Sequence, residues 1–294
     1  MQAVHPRWSS QTFLVYTGAL TALGAAAAWL SYLSTKTGDF GDVVWAFILV
    51  LVLKGAAFGF LRRHHRVTAG VFAFGMVAAY AGFIGTIWKW FGWNAFPHSF
   101  HGFHPAFYVL ALVWITAALV TLAVFRFPLI VVQALLAGYL LFTDFISGGG
   151  TWSAIVTLFV GLVYLMFAFA VDAGSSRPYG FWIHLGSGLL IGGSLLWFWH
   201  GGWFEWILVL ISSILFVMFG GSVGRSSWTV LGALGLFIAS VHYVLDWTNV
   251  QLVFFGNQGN DSSRPWVSPL VFTVTGALLI ALGFREARSR PQVG

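Results

Sequence analysis

The chain has 294 residues, of which 59% are hydrophobic, 18% aromatic and only 7% charged. A soluble domain carries roughly 25% charged residues, so most of this surface must face lipid and the chain reads as a polytopic membrane protein. The absence of cysteine excludes disulfides, thiolate metal sites, cysteine-ligated iron–sulfur clusters and cysteine nucleophiles. The net charge of +6 is scattered singly or in short turns, so no basic domain suited to nucleic acid is present.

Spanning the hydrocarbon takes about 20 apolar residues. In chain order ten runs qualify: 12–34, 42–61, 67–91, 105–125, 127–146, 151–171, 179–199, 204–222, 227–247 and 266–284. The first is too long for a cleaved signal peptide, and no small-residue cleavage site in polar surroundings follows it. The tight turn Arg126–Phe127–Pro128 leaves open whether two of the runs form one bent element. With the N-terminus inside, Arg7, Arg62, Arg63, Arg66, Arg126, Arg177, Arg225, Arg285, Arg288 and Arg290 all fall on the cytoplasmic side. Only Lys36, Lys89 and Arg264 fall outside, as the positive-inside rule requires. The acids lean the other way, with Asp172 and Glu286 alone inside. The expected fold class is an all-α polytopic membrane protein of about ten transmembrane helices with both termini cytoplasmic. It forms a single transmembrane domain over 1–294, divisible into halves 1–147 and 148–294, multi-pass in a bacterial plasma membrane.

The second of these halves carries an internal repetition. Phe181–Ser194 and Ser227–Ser240 both carry Trp, two residues, Leu-Gly, then Ser eight residues after that Gly. They read as equivalent helices of a repeated hairpin. Ten helices in this length, both ends inside, with a repeat, is similar in organisation to the drug/metabolite transporter superfamily. That resemblance covers topology and length only, and no site residue is carried over from it.

Close-spaced glycines, among them Gly70, Gly186, Gly192, Gly193, Gly232 and Gly235, suit helix–helix contact in lipid. Gly192–Gly193 is the best place for a helix to break at a binding site. Lys54 is the one basic residue well inside a span. It sits about seven residues, or ~10 Å, from the cytoplasmic end. Its ammonium either snorkels to that face or lines a polar cavity and meets an anionic substrate or lipid headgroup. His184 and His242 lie near opposite ends of their spans, and His242 has Asp246 at i+4 on one helix face. No Asp or Glu lies near the bilayer centre, which argues against a proton pump. Gln133, Thr157, Ser187, Ser194, Ser212, Ser213 and Ser240 either line a polar route or bond between helices.

Tryptophan gathers on the outer side, including Trp197, Trp199, Trp203 and Trp206. Together with Asp144, His242 and Asp246 these form an aromatic, acidic vestibule. Cation–π contact and stacking would suit it to a cation or a flat apolar molecule, or the flank would dock another membrane subunit. The stretch Phe96–Phe107 places Phe96, Phe100, Phe103 and Phe107 within about 60° of one another at helical spacing. It reads as a short interfacial helix near 96–107, Phe down and His up. His98, His101 and His104, with His200 from the same face, are candidate metal ligands. Replacing the three by glutamine is expected to leave stability nearly unchanged.

No nucleophile–base set, P-loop, dinucleotide fingerprint or HExxH motif is present, which leans away from an enzyme. Three functions fit. The first is a small-molecule permease with an aromatic, acidic outer vestibule. The second is a non-catalytic subunit binding a partner complex, lipid or pigment. The third is an outer-face histidine metal- or haem-binding protein. No cofactor is required by the sequence, and the partners it implies are the lipid bilayer, a membrane protein partner or a further copy of the chain.

Overall fold

The computed structural model describes residues 10–93, 104–146, 149–174, 177–248 and Val274. Among them the elements are all helices: α1 (Ser10–Arg62), α2 (Arg66–Trp90), α3 (Pro105–Phe125), α4 (Ile130–Ile146), α5 (Gly150–Ala173), α6 (Arg177–Phe198), α7 (Trp203–Val223) and α8 (Ser226–Thr248). Seven helical stretches are long and apolar enough to cross a membrane, and Ile130–Asp144 is a shorter apolar one. The protein is an all-α, multi-pass membrane protein.

From 67 onward the helix ends lie within a few residues of the expected spans. The spans expected at 12–34 and 42–61 both fall in α1, which Gly38 divides with φ 68° and ψ −177°. That conformation is essentially open to glycine alone, so the long helix is turned at one defined residue. The span expected at 266–284 lies outside the described residues apart from Val274, as do His98, His101 and most of the expected interfacial helix.

The turn at Arg126 makes two helices. Arg126 closes α3 in the left-handed region (φ 52°), its N–H bonded to Leu122 O, and Pro128 follows before α4 begins. Phe127 then packs onto Gly70 of α2, where a Cβ would collide with its ring. This contact brings the α1–α2 and α3–α4 turns to one end of the bundle. The α5–α6 and α7–α8 turns meet at the same end through Asp172 and Arg225. The described arginines thus gather at one end and the tryptophan-rich turns at the other.

Small residues set the helix contacts, as lipid-embedded packing requires. A Cβ on Gly232 would lie 2.5 Å from Ser213 O of α7, and one on Gly161 would lie 2.8 Å from Ile191 of α6. Gly186 faces Leu135 of α4, while Gly193 has open space around it. The helix α6 continues through Gly192–Gly193 without a break, so these residues thin the helix surface rather than interrupt it.

Candidate functional site

The polar groups within the bundle divide between bonds that join helices and bonds returned to their own helix. Gln133 accepts from Trp114 Nε1 at 2.9 Å and donates to Phe74 O, joining α3, α4 and α2. Tyr164 donates to Leu135 O at 2.6 Å, Tyr139 pairs with Thr157 at 3.0 Å, and Ser187 donates to Gly161 O at 2.8 Å. Ser194, Ser213 and Ser240 each return a hydrogen bond to the carbonyl four residues back in their own helix. Ser212 does the same three residues back.

At the arginine-bearing end, α5, α6, the turn before α8 and the first turn of α8 bring four side chains together. Arg225 donates to both carboxylate oxygens of Asp172, through Nε at 2.9 Å and through Nη2. His184 Nε2 lies 2.9 Å from Asp172 Oδ2, and Trp228 Nε1 donates to His184 Nδ1 across 3.1 Å. An indole nitrogen can only donate, so Nδ1 is the acceptor and Nε2 carries the proton given to Asp172. His184 is fully buried and Trp228 nearly so, with Phe216 and Phe219 edge-on to the indole. Gly180 lets this cluster close, since a Cβ there would collide with Asp172. Of the four, only His184 stands out in the sequence as a polar side chain within a span. The usable signal was Asp172, one of two acids sorted to the inside.

At the opposite end the expected vestibule residues divide. Trp206 is buried, donates to His200 O at 3.2 Å and stacks on His242 with ring centroids 3.9 Å apart. Trp197 and Trp203 are about half exposed and Trp199 less so. Tyr243 donates to Trp203 O, tying α8 to the start of α7. The side chain of Asp246 lies outside what the structure describes. Asp144 is elsewhere, at the α3–α4 pair. It is fully buried, with Oδ1 2.8 Å from His104 Nδ1 and Oδ2 accepting from the His104 N–H.

His104 therefore differs from a histidine lying free on a membrane surface. One ring nitrogen is engaged by a buried carboxylate. His200 Nδ1 likewise donates to Trp197 O. Among the described residues no group of three or more His, Asp or Glu is placed to hold a metal ion.

Two cavities open on the flanks of the bundle. One, of about 200 Å³, lies between α6, α7 and α8, at Gly192, Gly193, Ser212, Ser213 and Gly235. The larger, of about 640 Å³, lies between α1, α2 and α3. Its rim residues Leu51, Val109, Leu112 and Val120 are exposed at the bundle surface, so it opens sideways. Lys54 lines it together with Tyr80, Thr116 and Thr121. Lys54 is exposed and joins none of the hydrogen bonds or ion pairs among the described residues.

No protein-family model, curated protein or solved structure matches this chain.

Proposed function

We infer that this protein binds and moves a small amphipathic molecule that enters sideways from the bilayer, a permease or carrier rather than a catalyst. The observation that carries this reading is the 640 Å³ cavity between α1, α2 and α3, open on the flank and apolar apart from a few polar groups. Binding sites in bundles lie between helices and are mostly apolar, with few orienting polar groups. The gap beside Gly192–Gly193 offers a second, smaller recess on the other half of the chain. A ten-helix arrangement in a bacterial plasma membrane, both termini cytoplasmic, belongs to the same proposal.

A lipophilic, uncharged photoreactive probe tests it. Labelling concentrated on peptides holding Phe47, Met76, Tyr80 and Val113 supports a site. Labelling spread over every lipid-facing flank in proportion to exposed area rejects it.

The outer aromatic flank favours a second use. Trp197, Trp203 and Phe204 stand exposed near one another, and aromatics concentrate in interface cores. Docking of a membrane partner or a further copy there predicts co-purification in mild detergent that Trp203→Ala removes.

A further inference from the structure

We propose that the α1–α3 groove receives a long-chain carboxylate whose head pairs with Lys54 and whose chain runs away from the arginine-bearing end. The proposal rests on the groove being the binding site argued above, and it names the class of ligand.

Charge is the first argument. An ammonium held in the hydrocarbon region is costly unless it meets an anion or reaches water. Chains normally offset this with an acid of their own, but the described acids are committed elsewhere or lie at helix ends. Asp39 and Asp42 pair with Lys89, Asp144 with His104, and Asp172 with Arg225 and His184. Glu205 is in the first turn of α7. Among the described residues no carboxylate is left to stand opposite Lys54, so its ammonium is open to an anionic head.

Placement is the second argument. Lys54 is the groove residue of α1 nearest the arginine-bearing end, and Thr121 is its counterpart on α3. Toward the other end the walls become Phe47, Phe83 and Val109. The groove is thus amphipathic along its length, with a cationic pole and an apolar, aromatic run. On α3 it extends from Val109 to Thr121, roughly 18 Å of helix rise. This length matches an extended acyl chain rather than a compact solute.

Depth is the third argument. Lys54 lies about eight residues, roughly 12 Å, from Arg62. Phospholipid phosphates at the interface meet Arg62, Arg63 and Arg66 first. A carboxylate is the smaller head and, unlike a phosphate monoester, carries the single negative charge that one ammonium matches.

The test uses the purified full-length protein in nanodiscs of zwitterionic lipid. Three photoreactive probes share one alkyl chain and differ in head: carboxylate, alcohol and phosphate monoester. The carboxylate should label the groove at the lowest concentration. Lys54→Gln should weaken its binding roughly 10- to 100-fold, as expected for losing a charge-assisted hydrogen bond. Lys54→Arg should retain most of the affinity, and alcohol labelling should be unchanged in all variants. A change within twofold for the carboxylate in Lys54→Gln overturns the proposal and leaves a lysine that only snorkels. Preference for the phosphate head overturns the choice of carboxylate. If neither carboxylate nor alcohol labels the groove, the broader binding reading fails instead.

Discussion

Trp228 donates its indole N–H to Nδ1 of His184 across 3.1 Å, and this one bond fixes which imidazole nitrogen faces Asp172. The neutral ring then donates from Nε2 to a carboxylate already held by Arg225. All four polar groups are satisfied where α5, α6 and α8 converge. The arrangement works as a clasp between the α5–α6 and α7–α8 hairpins.

Trp228→Phe keeps most of the packing against Phe216 and Phe219 but leaves a buried His184 acceptor without its donor. The expected loss of stability is about 1–3 kcal/mol, read as a lower unfolding midpoint in detergent. Adding His184→Phe to that variant should cost less than the two single changes summed, because the orphaned group is gone.

The Asp172–Arg225 pair is mostly buried, with side-chain exposures of 19% and 20%. Removing one partner by Asp172→Asn or Arg225→Met should destabilise more than removing both. A double-mutant cycle should give a coupling of about 0.5–3 kcal/mol. Zero coupling would mean that water already serves both groups.

Glycine variants should separate by location. Gly232→Val drives a side chain into Ser213 O and Val217 of α7 and should cost about 1–3 kcal/mol or more through overpacking. Gly193→Ala meets nothing within 4 Å and should be neutral, or gain up to about 1 kcal/mol from helix propensity. Thermal unfolding of the two variants side by side is sufficient.

His104 carries its own prediction, at odds with the expectation that three histidine-to-glutamine changes are silent. Its ring is tied to a fully buried Asp144. His104→Gln should cost about 1–3 kcal/mol, and Asp144→Ala a comparable amount. Equal midpoints for His104→Gln and the unaltered protein would show that the carboxylate finds another donor.

Helix positions were legible because the bilayer imposes a length and keeps arginine at one face. Arg62, Arg126, Arg177 and Arg225 all mark turns where the structure turns. Side-chain partners were less legible. Helices apolar all round carry no periodic signal telling which face is inward, so Trp203 and Trp206 looked alike although one is half exposed and the other buried. Likewise Lys54 was visible as an anomaly, but only tertiary packing of α1, α2 and α3 places it on a groove. Asp172 and Arg225 were each assigned to the same side, yet sidedness alone does not choose partners among several arginines.

The clasp also has a chronology. Asp172 and Arg225 are 53 positions apart, and chains are made from the N-terminus onward. The carboxylate and its histidine are therefore synthesised before the cation and the indole that complete them. Until α7 has crossed and α8 begins, the α5–α6 hairpin carries an unneutralised acid near its end. Arrival of the turn into α8 and its first residues supplies both missing partners together, so the later-made of these two hairpins is the one that locks its predecessor.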